Sequence, residues 1–102
     1  MINTAKWLGQ EFTVYTPDTT WNALAGVYIF CGSNQQNQWV PLYVGRAHSF
    51  AQRIPGHERW AEAVRLGATH IHAMVERREA NREAIERQLI QTYRPRLNEH
   101  HS

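Results

Sequence analysis

Cysteine is nearly missing from this sequence of 102 residues, since Cys31 is the only one. A single thiol cannot form an internal disulfide, and it cannot build a zinc site that depends on several cysteines. No stretch approaches the roughly eighteen apolar residues of a membrane-spanning helix, and residues 1–5 lack the regions of a signal peptide. We therefore expect one soluble, cytoplasmic domain with a modest core and no membrane contact.

Lysine is almost absent as well. Ten of the eleven basic residues are arginine and Lys6 is the only lysine, while the formal net charge is only +2. A planar guanidinium group can pair with two phosphate oxygens at once. The arginine bias therefore favours a phosphate-bearing partner, but a GC-rich genome produces the same bias, and the small net charge decides little.

Two strand-like runs begin the clearly patterned part of the chain. Residues 26–31 (GVYIFC) and 39–44 (WVPLYV) are rich in β-branched and aromatic residues, and segment 32–38 between them has no apolar residue and is typical of a hairpin loop. Pro41 has no amide hydrogen to donate, which predicts an edge strand or a bulge. Upstream, the alternating run EFTVY at 11–15 predicts a short edge strand.

Helix signals follow the hairpin. Ser49 stands three residues before Gln52, which is the capping-box pattern, and Pro55 interrupts the helix that starts there. A second helix is predicted from about Pro55 to Gly67, because glycine suits the left-handed residue that ends a helix. The alternating run at 69–75 predicts a third strand.

A last helix is predicted from about Glu79 to Tyr93, and Arg94 with Pro95 ends it. The predicted order is strand, strand, helix, helix, strand, helix. This order indicates an α+β domain with a small antiparallel or mixed three-stranded sheet. The helices are expected to cover one face or the edges of the sheet, and an extra N-terminal strand is an option.

The two tyrosines of the hairpin are predicted to share one face of the sheet. Side chains of a strand alternate between faces, so Tyr28 and Tyr43 point the same way if their aliphatic neighbours both face the core. The same alternation puts His70 and His72 on one face of the third strand, where they would line the tyrosine side. Tyrosine is also an ordinary strand residue with one wet face, so the pair alone does not establish a site.

A carboxylate lies within the apolar stripe of the last helix. At about 100° per residue, Glu86 falls inside this stripe, and a carboxylate there needs a cation, a metal or a water-filled cleft. The alternative is a glutamate at the edge of the stripe that pairs with Arg82 or Arg78. The apolar members of the stripe are Ile85, Leu89, Ile90 and Tyr93.

The order of the motifs along the chain resembles the motif pattern of the GIY-YIG nuclease family. Gly26-Val27-Tyr28 is similar to the first motif of that family, Tyr43-Val44-Gly45 is similar to the second, and valine replaces the isoleucine in both. The resemblance runs from about Trp21 to Asn98, and the joint order of the residues carries it. The residues that extend it after the two motifs are Arg53, His57, Glu86 and Asn98.

The resemblance implies an α+β endonuclease that hydrolyses phosphodiester bonds of DNA with one divalent ion, Mg²⁺ or Mn²⁺, held by Glu86. It implies that Arg53 clamps the phosphate and that Tyr28 acts on the attacking water, within a network completed by Tyr43 and His57. Gly26 and Gly45 are expected to bind substrate by allowing close backbone approach or a tight turn beside the site. Arg46 adds a cation there, and Asn98 positions the chain end or the substrate backbone.

The predicted boundaries are an N-terminal extension at 1–25, the GIY-YIG domain at 26–98 and a tail at 99–102. The chain has little room for a separate targeting domain, so specificity is expected from loops, from the N-terminal segment, from a homodimer or from a partner. The sequence leaves open DNA or RNA, single or double strands, and the oligomeric state. It also leaves open a catalytically silent nucleic-acid-binding module or a partner-binding module with the same fold.

Overall fold

Five antiparallel strands form the central sheet in the computed structural model, which describes residues 3–99. They lie in the order β1-β2-β5-β3-β4. The predicted three-stranded sheet is therefore wrong, because the N-terminal segment adds a whole hairpin. Of the predicted tail, residues 100–102 lie outside the described residues. The strands are β1 (Thr4–Trp7), β2 (Gln10–Tyr15), β3 (Gly26–Ser33), β4 (Trp39–Ala47) and β5 (Ala68–Val75).

In the described part of the chain, three helices follow or separate the strands. They are α1 (Phe50–Arg53), α2 (Trp60–Arg65) and α3 (Glu79–Tyr93), and a 3₁₀ turn at Arg96–Asn98 comes last. The predicted element order lacked the two N-terminal strands and this turn. None of the helices in residues 3–99 has the length and apolar character that crossing a membrane requires.

The N-terminal hairpin is joined by a two-residue turn at Leu8 and Gly9, which have φ angles of 51° and 76°. Positive φ at both central residues is the geometry of the tight turns that match the twist of paired strands. β2 then pairs with β5 through Thr13 opposite Ala73. The run at 11–15 is therefore a strand, as predicted, but it lies inside the sheet and not at its edge, because β1 covers its other side.

β4 is the edge strand at the opposite end of the sheet. Its pairing with β3 shifts register between Phe30 and Cys31, and Pro41 lies opposite Cys31 at this shift. Both features predicted from Pro41, the edge position and the bulge, are confirmed. The irregularity falls where a residue without an amide hydrogen cannot complete a ladder.

The segment between α1 and α2 is a pair of turns. Ser49 caps α1, because its hydroxyl accepts from the Gln52 amide at 3.4 Å. α2 begins only at Trp60, five residues later than predicted. Gly56 takes a φ of 70°, which breaks helical geometry before that point. Gly67, at a φ of 107°, follows the end of α2 as predicted.

Both faces of the sheet are buried, whereas the helices were expected to cover one face or the edges. Every residue of β3 from Gly26 to Gly32 is buried. On one face, Tyr28 and Phe30 pack with residues of α1 and α2. On the other face, the cluster includes Leu89 of α3 and residues of the N-terminal hairpin. The central strand thus places its alternate side chains in two separate cores.

Candidate active site

The two hairpin tyrosines lie on one face of the sheet, as predicted. In the β3–β4 ladder Tyr28 lies opposite Gly45 and Phe30 lies opposite Tyr43, and residues directly opposite each other in a ladder share a face. The ring centroids of Tyr28 and Tyr43 are 6.3 Å apart. Tyr28 is fully buried, while Tyr43 is half-buried.

The histidines of β5 lie on the other face, so the expectation that they line the tyrosine side is wrong. The register of β5 against β3 sets Ala73 opposite Tyr28 and His72 opposite Ile29. His72 is buried there, and its Nδ1 accepts a hydrogen bond of 2.9 Å from the indole of Trp7. A shift of one residue in this register would have placed the histidines on the same face as the tyrosines.

Glycine at two motif positions makes room for neighbouring atoms of the protein itself. A Cβ on Gly45 would lie 2.5 Å from Cζ of Tyr28, and a Cβ on Gly26 would lie 2.5 Å from Cζ of Phe50 and still closer to the carbonyl oxygen of Met74. The close backbone approach expected at these glycines is thus an approach within the fold. Gly45 in particular sets the space in which the Tyr28 ring lies.

Tyr28 is held by a buried histidine. His57 lies in the turns before α2, and its Nε2 is 2.8 Å from the Tyr28 hydroxyl oxygen. The backbone amide of Arg59 donates to His57 Nδ1 at 3.0 Å, so the neutral ring carries its hydrogen on Nε2 and donates it to Tyr28. Burial, reinforced by the Arg53 guanidinium, lowers the pKa of His57 to about 4. The imidazole is therefore uncharged at neutral pH.

Burial also governs both tyrosine hydroxyls. It raises the pKa of Tyr28 and that of Tyr43, because a phenolate loses hydration inside the protein. The guanidinium of Arg53 acts on both groups in the opposite direction. Both phenols are therefore protonated at neutral pH unless a further cation comes close to them.

A cleft of about 430 Å³ opens beside Tyr43. Three of the residues predicted from the sequence line it: Tyr43 of β4, Glu86 of α3 and Asn98 of the 3₁₀ turn. Tyr28 is not among the lining residues, because its ring is fully buried. The polar residues of the lining are Tyr43, Glu58, Arg59, Glu86, Asn98 and Glu99.

Arg53 is engaged with a carboxylate at this cleft. Its Nη1 and Nη2 donate to the two carboxylate oxygens of Glu58 at 2.9 and 2.8 Å, a bidentate pair. Hydrogen bonding to Glu58 raises the pKa of Arg53, and the same contact lowers the pKa of Glu58 to about 2. The sequence analysis did not identify Glu58 as the partner of Arg53. The two residues are five apart and are brought together by turns, so no helical spacing of three or four residues indicated the pair. The only available signal was a carboxylate directly after the predicted site residue His57.

Glu86 has an arginine partner that lies far away in sequence. Arg46 of β4 donates to Glu86 Oε1, and it also lies 3.8 Å from a carboxylate oxygen of Glu83. The pairing with Arg82 or Arg78 considered from the sequence is not formed. The buried guanidinium of Arg82 donates instead to the carbonyl oxygens of residues 76 and 77.

The carboxylate of Glu86 fits a single hard cation. Mg²⁺ keeps several waters and is commonly bound through one or two carboxylates, and the Glu86 side chain retains 19% exposure toward the cleft. Within residues 3–99, no cluster of three or more His, Cys, Asp or Glu side chains is placed to hold a metal. The residues present therefore suit Mg²⁺ on one carboxylate, with Arg46 yielding part of its contact.

Asn98 fastens the chain end to the free edge of β4. Its Oδ1 accepts from the Val44 amide at 2.7 Å, and its Nδ2 donates to the Val44 carbonyl at 2.9 Å. The two bonds satisfy both backbone groups of Val44 on this open edge of the sheet. This geometry supports the first of the two roles expected for Asn98, the positioning of the chain end beside the cleft.

Solved structures resemble this fold closely. The magnesium-bound GIY-YIG N-terminal endonuclease domain of UvrC from Thermotoga maritima is 27% identical, with 78% of this chain and 88% of that chain covered and a TM-score of 0.63. A tyrosine-to-phenylalanine mutant of that domain, bound to its catalytic divalent cation, is 28% identical with the same coverage and a TM-score of 0.62. No protein-family model matches the sequence, and no curated protein matches it.

Proposed function

This chain folds as a GIY-YIG nuclease domain, an enzyme of the phosphodiester hydrolase class, and we propose that it is a metal-dependent endonuclease that cleaves DNA. The observation that carries the proposal is the cleft that brings Tyr43 together with Glu86, with Arg53 paired to Glu58 of its lining. The DNA substrate and the magnesium ion are supported by the UvrC domain, which is an endonuclease domain crystallised with magnesium.

Glu86 is the proposed metal ligand. When bound there, Mg²⁺ supplies Lewis-acid stabilisation of the phosphate and of the leaving oxygen. Arg46, which donates to Glu86 in the free protein, would then give up part of that contact and could face the anionic substrate. A dication would leave an excess of positive charge at Glu86, which the phosphate of the substrate would offset.

Arg53 is the proposed phosphate clamp. Its fork already binds a planar pair of oxygens on Glu58, and a phosphate presents the same bidentate geometry. The Glu58 side chain is 65% exposed, so a phosphate entering the cleft competes with a carboxylate that water already solvates. Glu58 thus holds the guanidinium in position before substrate arrives.

Tyr43 is the tyrosine that we place on the attacking water, in place of the role that the sequence suggested for Tyr28. Tyr43 lines the cleft with Glu86, whereas Tyr28 is fully buried behind it. Its pKa must fall for it to accept a proton, and Arg53 together with an ion on Glu86 would lower it. Tyr28, fixed by His57, then acts as a positioning residue for the Tyr43 ring.

A cleavage assay tests the function. Supercoiled plasmid, linear duplex and single-stranded DNA are incubated with the purified protein in Mg²⁺, Mn²⁺ or EDTA. Cleavage in Mg²⁺ that stops in EDTA is the expected result. Absence of cleavage on every substrate, together with salt-sensitive DNA binding, would instead show the catalytically silent binding module.

The tyrosine assignment has its own test. Tyr43→Phe should reduce the cleavage rate more than Tyr28→Phe does when both proteins are compared at the same folded fraction. The difference should be largest below the pH optimum, where a general base is limiting. Equal losses in the two variants would show that the cleft position of Tyr43 has no special role.

A further inference from the structure

A second pocket adjoins the turns that carry His57. The segment at 56–60 contributes to both cavities, since Glu58 and Arg59 line the cleft while Gly56 and Trp60 line this pocket. Its volume is about 130 Å³, below the roughly 300 Å³ at which sites for drug-sized ligands begin. The pocket therefore suits one planar ring system rather than a whole nucleotide.

Aromatic rings form the walls and the floor. Trp21, from the connection between β2 and β3, and Trp60, at the start of α2, are half-buried and line the pocket. Phe30 lies at its floor, fully buried, with its ring 4.9 Å from that of Trp60 in an edge-to-face contact. Two indole rings at an open pocket can stack on a flat ligand.

The lining carries no charge. It consists of proline, glycine, isoleucine, threonine and aromatic residues, so it disfavours a phosphate group and favours a neutral ring. Thr19 is the lining residue with a hydroxyl, and this hydroxyl donates to the carbonyl of Thr16 at 2.8 Å. The lone pairs of that oxygen remain as acceptors for an N–H group of a ligand.

A single side chain, Phe30, contacts both this pocket and the proposed catalytic network. The Phe30 ring is 4.9 Å from His57 and also 4.9 Å from Trp60. Pro55, on the pocket wall, follows Arg53 by two residues. The backbone segment that carries Arg53 therefore also forms part of this pocket, so the proposed phosphate clamp and the pocket are neighbours along the chain.

We propose that the pocket binds one unpaired base of the substrate strand, next to the phosphate held by Arg53. The inference rests on the proposed function, which supplies the phosphate. Stacking a base on aromatic side chains tightens binding by about fivefold to a hundredfold, largely independent of sequence. Removing a base from a duplex opposes binding by a comparable factor, so the pocket favours strands whose bases are already unpaired.

The test compares two ligands of equal charge in EDTA. One is a 12-nucleotide oligodeoxyadenylate and the other is a 12-unit abasic chain with the same phosphates. The wild type should bind the adenylate at least about fivefold more tightly. Trp60→Leu should bring the ratio of the two affinities, adenylate over abasic chain, close to one. It should leave the affinity for the abasic chain unchanged. Trp39→Leu, at the partly exposed start of β4 and outside the pocket, is the matched control and should keep the ratio.

Two further measurements test the pocket without relying on Trp60→Leu. Thr19→Trp fills the pocket from its mouth without removing a core side chain, and it should reduce the ratio as Trp60→Leu does. In the wild type, deoxyadenosine monophosphate should shift the indole N–H signals of Trp21 and Trp60, and deoxyribose 5-phosphate should not. Unchanged indole signals at saturating nucleotide, or folded variants with the wild-type ratio, would overturn the proposal.

The two proposals fail in different ways. If the wild type cleaves DNA in Mg²⁺ but binds the adenylate and the abasic chain equally, the pocket proposal is wrong and the nuclease stands. If the wild type does not cleave but keeps a ratio that Trp60→Leu removes, the nuclease proposal is wrong. The base-binding pocket then stands on its own.

Discussion

Nε2 of His57 lies 2.8 Å from the hydroxyl oxygen of Tyr28, and both side chains are buried. Since the Arg59 amide already occupies Nδ1, His57 donates to Tyr28 and cannot accept its proton through Nε2 while the ring is neutral. The pair therefore fixes the position of Tyr28, whose buried hydroxyl stays protonated at neutral pH because burial raises its pKa. It does not act as the proton acceptor of the site.

Tyr28→Phe should destabilise the protein by about 1–3 kcal/mol, because the Nε2 hydrogen of His57 would stay buried without an acceptor. The measurement is the free energy of unfolding in urea. Tyr93→Phe is the control, since the Tyr93 hydroxyl accepts only an exposed 3.3 Å bond from the Leu8 amide. Equal losses in the two variants would contradict the donor role of His57.

Stability should fall as the pH drops from about 6.5 toward 4. The pKa values of the buried imidazoles of His57 and His72 are lowered to about 4 in the folded protein, whereas an unfolded histidine titrates near 6.5. The unfolded state therefore takes up protons first, and each ring contributes a loss of up to about 3 kcal/mol. Above pH 7 neither ring contributes a slope.

Urea unfolding at pH 7.5, 6 and 5 measures this dependence. His57→Gln should flatten the slope, because one of the two imidazoles is then gone. His48→Gln, which replaces an exposed histidine, is the matched control. If the free energy of unfolding of His57→Gln changed with pH as steeply as that of the wild type, burial of His57 would not set its protonation.

Glu86→Gln should reduce Mg²⁺-dependent cleavage at least about a hundredfold, the scale of losing one charge-stabilising contact in a transition state. It should also weaken Mn²⁺ binding, measured by calorimetry without DNA. Glu83→Gln is the control, because Glu83 lies one turn earlier on α3 and is not part of the cleft lining. Equal metal affinity in Glu86→Gln and the wild type would place the metal elsewhere.

Gly45→Ala should destabilise the fold by about 1–3 kcal/mol through overpacking against the Tyr28 ring. It should also lower cleavage in Mg²⁺, because the ring moves. Gly9→Ala makes the same chemical change in open space, where only the positive φ opposes it. It should retain activity, and a comparable loss of activity there would show that the Gly45 effect is not specific to Tyr28.

Asn98→Ala should destabilise the chain end by about 1–3 kcal/mol, because two backbone groups of Val44 lose their partners. Amide hydrogen exchange at Val44 is the direct measurement and should accelerate. Asn81→Ala, on α3, is the matched substitution away from this contact. Unchanged exchange at Val44 would contradict the edge contact.

Local patterns in the sequence determined several elements closely. The last helix spans Glu79–Tyr93 as predicted, because its apolar spacing and the Arg94-Pro95 stop are both local signals. The shared face of Tyr28 and Tyr43 followed from alternation along two strands joined by a short loop. The edge position and bulge of β4 followed from the missing amide hydrogen of Pro41.

Only the tertiary structure decided which distant residues meet. The face of His72 depends on the register of β5 against β3, and alternation within one strand cannot supply that register. The partner of Glu86 is Arg46, forty residues away, and the burial of Tyr28 depends on α1, α2 and Gly45 together. Side-chain periodicity is a property of each element, whereas register, ion pairs and cavities arise only when the elements pack.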